Sequence, residues 1–223
     1  MFYREAGDFS TTYREDSQTF PIKFDRYRYY AVLLIAFAII PFLLNDYWVN
    51  AIFLPFLIYS IAAIGLNILT GYCGQVSLGT GGFMAVGAYA TYKLMTAFPE
   101  VSMVVHILLA GGITAFVGVL FGLPSLRIKG FYLAVATLAA QFFLVWLFNR
   151  VPWFYNYSAS GQINSPERTL FGIPITGANT EPWAVYLFCL VFVTLSAIIA
   201  RNLTRGAMAV SYTHLTLPTI REV

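Results

Sequence analysis

The sequence predicts an all-α membrane protein, a polytopic helical bundle with about six transmembrane helices. Three observations carry this expectation. Hydrophobic residues make up 59% of the 223 positions and charged ones only 10%, against about 25% charged in soluble domains. No Asp, Glu, Lys or Arg occurs in 29–45, 47–92, 101–126, 130–149 or 182–200. A spanning helix needs roughly 20 largely apolar residues, so the 47–92 run has room for about two. Finally, these runs do not alternate apolar with polar residues as barrel strands do, and open strands cannot satisfy their backbone in hydrocarbon.

In chain order the expected spans are about 29–46, 49–69, 75–95, 103–123, 131–149 and 183–200. Residues 1–28 are polar and mixed in charge, which suits a soluble tail better than the short n-region of a cleaved signal peptide. The transmembrane domain is expected over 29–210. Lys23, Arg26 and Arg28 sit next to the first span, with Arg4 and Arg14 further back in the tail. Placing that tail in the cytoplasm puts Arg127 and Lys129, and then Arg201 and Arg205, on the same inner side. Lys93, Arg150 and Arg168 fall more thinly on the outer side. Trp48, Trp146, Trp153 and Trp183 then all lie at outer span ends, where tryptophan favours the membrane–water boundary.

Residues 150–182 break the pattern of tight loops. Pro152, Pro166, Pro174 and Pro182 with Gly161, Gly172 and Gly177 predict a turn-rich outer loop, either a docking surface or lid or a passive linker. Asn156-Tyr157-Ser158 matches a glycosylation sequon, which matters only in a secretory pathway.

The most informative stretch is Gly71 to Tyr92, uncharged and dense in glycine. In water each helix glycine costs roughly 1 kcal/mol relative to alanine. In lipid, small residues let helices approach closely, and irregular backbone is tolerated where protein or a water-filled cavity covers it. Gly71, Gly74, Gly79, Gly82 and Gly87 are therefore helix-packing candidates, as are Gly118 and Gly122, a GxxxG pair in the fourth span. Asn67, Thr70, Gln75, Ser77 and Thr80 form a dense polar run at membrane depth. They either bridge packed helices or line a path; Asn67, Gln75, Ser77 and Thr80 are the substrate-path candidates.

Several chemistries find no support. Gly79-Thr80-Gly81-Gly82 lacks the third glycine of a dinucleotide loop, since Met84 stands there, and no Walker A ending occurs. There is no Ser/His/Asp or Cys/His set, no HExxH and no paired carboxylates in a span, so an enzyme is not expected. His106, alone near the outer end of its span, is expected to be a hydrogen-bonded boundary residue rather than a metal ligand. Cys73 and Cys189 have no metal or disulfide spacing and are expected to be small core residues. A net charge of +3 is too small to indicate nucleic acid. Arg127, Lys129, Arg201, Arg205 and Gly206 bracket the inner face, serving orientation alone or contact with a cytoplasmic partner.

Residues 65–79, GLNILTGYCGQVSLG, resemble the GLNLLxGYxGQxSLG signature of LivM-type permeases, from ABC importers of branched-chain amino acids. Phe83 to Tyr89 is similar to the F-x-x-x-GAY that follows it, and Leu126 to Ala134 to a second motif, LRLKGxYLA, with Thr137-Leu138 after it. Arg201-Asn202-Leu203 and Gly206 resemble the approach to the cytoplasmic coupling segment, so the likeness covers roughly 30–210. It implies a bacterial inner-membrane subunit paired with a second, related permease. Two cytoplasmic ATPases and a periplasmic binding protein complete such importers, with membrane lipid around them. ATP and magnesium would then bind the ATPases, and no cofactor this chain. A urea or short-amide permease is the near alternative, and a secondary carrier or channel the distant one.

The likeness breaks at two places. Thr80 stands where the family usually has histidine after Ser-Leu-Gly. After Met208-Ala209-Val210, residues 211–223 match nothing in the family pattern and are expected to be a tail foreign to the fold, at a truncated or miscalled end.

Overall fold

The computed structural model describes residues 23–43, 45–125, 131–158, 160, 163–170, 172–177 and 180–205. It divides into two units, 1–44 and 45–223. The first contains helix α1, Phe24–Leu43. Within α1 a π-helical turn spans Ile35–Ile39, and the Ile40 N–H reaches back to Ile35 O. The cause is Pro41, whose ring would collide with the carbonyl four residues earlier in a regular helix. Widening the turn by one residue absorbs that collision.

In the second unit, α2 runs Asp46–Tyr72. It repeats the device: a π-turn at Val49–Phe53, with Leu54 N–H bonded to Val49 O, precedes Pro55. A further π-turn, Ile68–Tyr72, ends α2. Cys73 N–H bonds Ile68 O at 3.2 Å and Gln75 N–H bonds Leu69 O at 3.1 Å. Gly74 between them has φ 62°, the left-handed conformation that terminates helices and that glycine adopts without strain. The chain then runs without regular structure to Gly79.

Helix α3, Thr80–Ala97, follows. The expected third span, 75–95, is therefore shorter at its start, because the Gly74 turn and the backbone bonds around it use up residues 73–79. Helix α4 is Met103–Ser125 and α5 is Phe131–Arg150. The loop after α5 contains a two-stranded antiparallel sheet, β1 Arg168–Leu170 and β2 Ile173–Thr176, in the register Leu170↔Ile173 and Arg168↔Thr176. Helix α6, Pro182–Arg205, starts with proline at the position where its missing N–H costs nothing.

Five of these helices, all but α3, are long and apolar enough to cross a membrane. Together with the helical architecture this makes the chain an all-α, multi-pass membrane protein. The surface agrees: Phe42 is 90% exposed, and Phe56 and Phe116 are each 65% exposed. In water such apolar patches would drive aggregation, whereas lipid tails solvate them.

The second unit packs as two groups. Helices α3, α4 and α5 form one, around buried Val86, Leu144 and Phe148. Tyr89 stacks on Phe148 with ring centroids 4.4 Å apart, and Phe154 meets Phe148 edge-on at 4.8 Å. Helices α2 and α6 form the other, joined at fully buried Val49 and Tyr186, where Phe53 meets the Tyr186 ring edge-on at 5.7 Å. Helices α2 and α3 touch only sparsely, which leaves a groove between the groups.

Candidate functional site

The break between α2 and α3 is held in place from α5. Thr137 Oγ1 accepts the Leu78 N–H at 3.0 Å while donating to Ala134 O at 2.9 Å. Gly79 lies so close that an added Cβ would stand 2.8 Å from Thr137 O. At Gly82 it would meet Gln141 Cα at 3.0 Å and Leu144 Cδ1 at 3.2 Å. Gly87 faces α4, where a Cβ would lie 3.3 Å from Thr114 Oγ1. Glycine is thus required at Gly79 and Gly82 by backbone approach, and at Gly87 by a side chain that can give slightly.

Other glycines behave differently. A Cβ on Gly71 would meet only Asn67 of its own helix, at 3.0 Å from Oδ1. Gly74 serves as the left-handed terminator described above. Gly118 and Gly122 have room: a Cβ at either meets nothing within 4 Å. The GxxxG pair therefore makes no close helix contact among the described residues.

The groove beside the break has a volume of about 630 Å³. Ser77 and Thr80 line it, opposite Gly65 and Leu66 of α2 and next to Ala110 and Thr114 of α4. Gly79 N–H approaches Ser77 Oγ at 3.4 Å. The other path candidates lie elsewhere. Gln75 is half-buried and outside the residues lining this groove. Thr70 spends its hydroxyl on Leu66 O at 2.8 Å, as helix threonines do when no neighbour competes. Asn67 belongs to a second cavity of about 310 Å³, with Tyr72 of the π-turn and Arg201 and Thr204 of α6. That shared cavity brings Asn67 and Arg201 together from motifs far apart in sequence, and no local pattern could have disclosed it.

Arg127, Lys129 and Gly206 lie outside the described residues, as do 211–223. Arg205 ends α6. Cys73 and Cys189 are both free and half-buried.

At the other end of the bundle, Arg168 donates to Pro99 O at 2.7 Å and also to Met95 O. A guanidinium thus caps the C-terminal carbonyls of α3, where a cation also complements the helix dipole. This fastens the hairpin to α3, so the expected turn-rich loop has a rigid anchor. His106 differs from expectation. It is only 1% exposed, and neither ring nitrogen has a hydrogen-bond partner among the described residues. It is buried within the protein, although its sequence position near a span end suggests a wet boundary. Among the described residues no group of acidic, histidine or cysteine side chains is placed to hold a metal.

An irregular link between α2 and α3, small residues where α3 meets α5 and a groove with polar groups among apolar spans are the features of a membrane protein built around a path. The family match gives its class as a permease. Residues 49–208 match the family described as the branched-chain amino acid transport system permease component, and the chain belongs to it. It is 36% identical over 126 residues to the high-affinity branched-chain amino acid transport permease LivM of Salmonella typhimurium. To LivM of Escherichia coli it is 35% identical over 126 residues. These matches cover 56% of this chain and 29% of either relative. No solved structure gives a significant match. The likeness to LivM-type permeases read from residues 65–79 and 126–134 is therefore borne out, in a family of transport components rather than enzymes.

Proposed function

We propose that the chain is the transmembrane permease subunit of an ATP-driven importer for branched-chain or similar amino acids. It forms the translocation path with a second, related permease, at the bacterial inner membrane with its N-terminus cytoplasmic. The observation that carries this is the groove beside the break at Cys73–Gly79, where Ser77, Thr80, Thr91 and Thr114 bring hydroxyl groups to a wall otherwise lined by apolar residues. Unwound backbone beside a cavity offers polar contacts for a zwitterionic head, and the aliphatic wall suits a branched apolar side chain.

The lower cavity supports a coupling role for Arg201. It shares a cavity with Asn67 and with Ile68 and Tyr72 of the π-turn that ends α2, so movement of α6 would reach the break. Two cytoplasmic ATPases would deliver that movement, and a periplasmic binding protein would deliver substrate to the hairpin end. ATP and magnesium stay on the ATPases.

Co-purification of the chain with a Walker A-containing ATPase, and uptake of radiolabelled leucine that stops on ATP depletion, are the expected results. Uptake that survives ATP depletion would favour a secondary carrier or channel. Leucine-insensitive uptake of urea would favour the short-amide alternative.

A further inference from the structure

A second groove, of about 670 Å³, runs between α3, α4 and α5 at the hairpin end of the bundle. Val86, Ala90, Val117, Leu144 and Leu147 make its wall apolar, and Lys93 stands at its rim. The Lys93 ammonium sits 4.3 Å from the centroid of the Trp153 ring. It also donates to Asn156 Oδ1, while Asn156 Nδ2 donates to Tyr92 Oη at 2.9 Å. Asn156 and Tyr157 hold φ of 52° and 57°. Left-handed backbone is rare for a bulky residue such as tyrosine and persists only where the surroundings impose it. The strained turn therefore presents the Asn156 amide to Lys93. Among the described residues no Asp or Glu lines the groove, so the cation faces an apolar trough with no described carboxylate in it.

We propose that this groove binds one anionic phospholipid, with an acyl chain along the wall and the phosphate at Lys93. A lysine ammonium has three donors, and Asn156 takes one of them. A small hydrophilic anion would leave the apolar wall uncovered, and a neutral amphiphile would leave the ammonium without a counter-charge. An anion with an aliphatic tail satisfies both. The surrounding bilayer supplies that chemistry, and Trp153 and Tyr92 are the side chains that favour the headgroup level.

The test uses the full chain in nanodiscs of phosphatidylglycerol or phosphatidylcholine with matched acyl chains, followed by detergent extraction and mass spectrometry of retained lipid. Phosphatidylglycerol should be retained at about one per chain and phosphatidylcholine should wash out. Lys93→Met should lower retention about fivefold, the factor one basic residue contributes near a membrane surface. Lys93→Arg should keep retention, and Ala90→Phe should lower it with the charge intact. Equal retention of the two lipids by the unaltered chain overturns the proposal, and that comparison needs no variant to fold. Undiminished retention by Lys93→Met overturns it as well. So does a photo-crosslinker at Ala90 that captures a polypeptide instead of lipid.

Discussion

The glycines of α3 and those of α4 look alike in sequence and do opposite things. Gly79, Gly82 and Gly87 lie where neighbouring helices come within contact distance of an absent Cβ. Gly111, Gly112, Gly118 and Gly122 on α4 face open space, with nothing within 4 Å of the position a Cβ would take. Gly82, Gly87 and the α4 glycines sit in apolar helices, Gly79 stands just before α3, and Gly118 and Gly122 have the small-xxx-small spacing. The pattern therefore states that close approach is permitted. It does not state by what. On α3 the approaching element is in the same chain; on α4 no described atom stands within 4 Å of the place a Cβ would take.

The strongest way to break this contrast is to crowd α3. Gly82→Leu places a branched side chain where Gln141 Cα already lies 3.0 Å from the Cβ position. Overpacking a filled site costs roughly 1–3 kcal/mol, and backbone rather than a flexible side chain must yield here, so the upper end applies. Gly79→Ala should behave similarly, since the 2.8 Å approach is to the Thr137 carbonyl. Thermal unfolding in detergent should show both variants clearly less stable, with reduced yield of folded protein. Wild-type melting for Gly82→Leu would mean that α3 and α5 are not in close contact.

Thr137→Val probes the same contact without adding bulk. It removes the acceptor for the Leu78 N–H, bonded at 3.0 Å. A net hydrogen bond contributes about 1 kcal/mol, so a smaller loss of stability is expected than for Gly82→Leu. Because Leu78 lies in the break, hydrogen exchange at that amide should quicken more than exchange along α5. Uniform quickening would show that Thr137 supports the helix rather than the break.

How much of this was legible beforehand follows from the same residues. The order Gly-Tyr-x-Gly-Gln-x-Ser-Leu-Gly identified the family, and charge-free runs placed the long spans, because burial in lipid acts on every residue of a span. The break was legible only in part: the expected spans 49–69 and 75–95 leave a gap at 70–74, whereas the irregular segment runs over 73–79. Nothing in residues 73–79 is polar enough to forbid helix, and its cause is a left-handed Gly74 with Thr137 sixty-odd positions away acting as clamp. The π-turns at Ile35–Ile39 and Val49–Phe53 follow from Pro41 and Pro55 and could have been placed from them. The shared cavity of Asn67 and Arg201, and the meeting of Lys93 with Trp153 and Asn156, depend on tertiary packing alone.

Gly87→Ala tests the weaker end of the α3 set. Among the described residues an added Cβ would meet only the Thr114 hydroxyl, at 3.3 Å, a side-chain atom already bonded to Ala110 O at 2.8 Å. Alanine favours helix over glycine by about 1 kcal/mol, which offsets most of the crowding. A change in melting close to zero is expected, and pairing with Thr114→Ser should leave it there. A large loss would show that α4 cannot move even slightly relative to α3.

The smallest effect on the chain itself should come from Gly118→Ala, and its value lies in what else it changes. With nothing within 4 Å, the added methyl meets no wall, and the helix gain of about 1 kcal/mol stands unopposed. Unfolding of the isolated chain should be unchanged or slightly raised. If the α4 face receives a helix of the second permease, the same methyl separates two backbones, and the larger Gly118→Leu should separate them further. Stability retained in the isolated chain together with a graded loss of partner permease on co-purification would assign the open glycines to contact between chains. Stability and co-purification both unchanged would leave the Gly118–Gly122 face to lipid, and close helix approach would then belong to α3 alone.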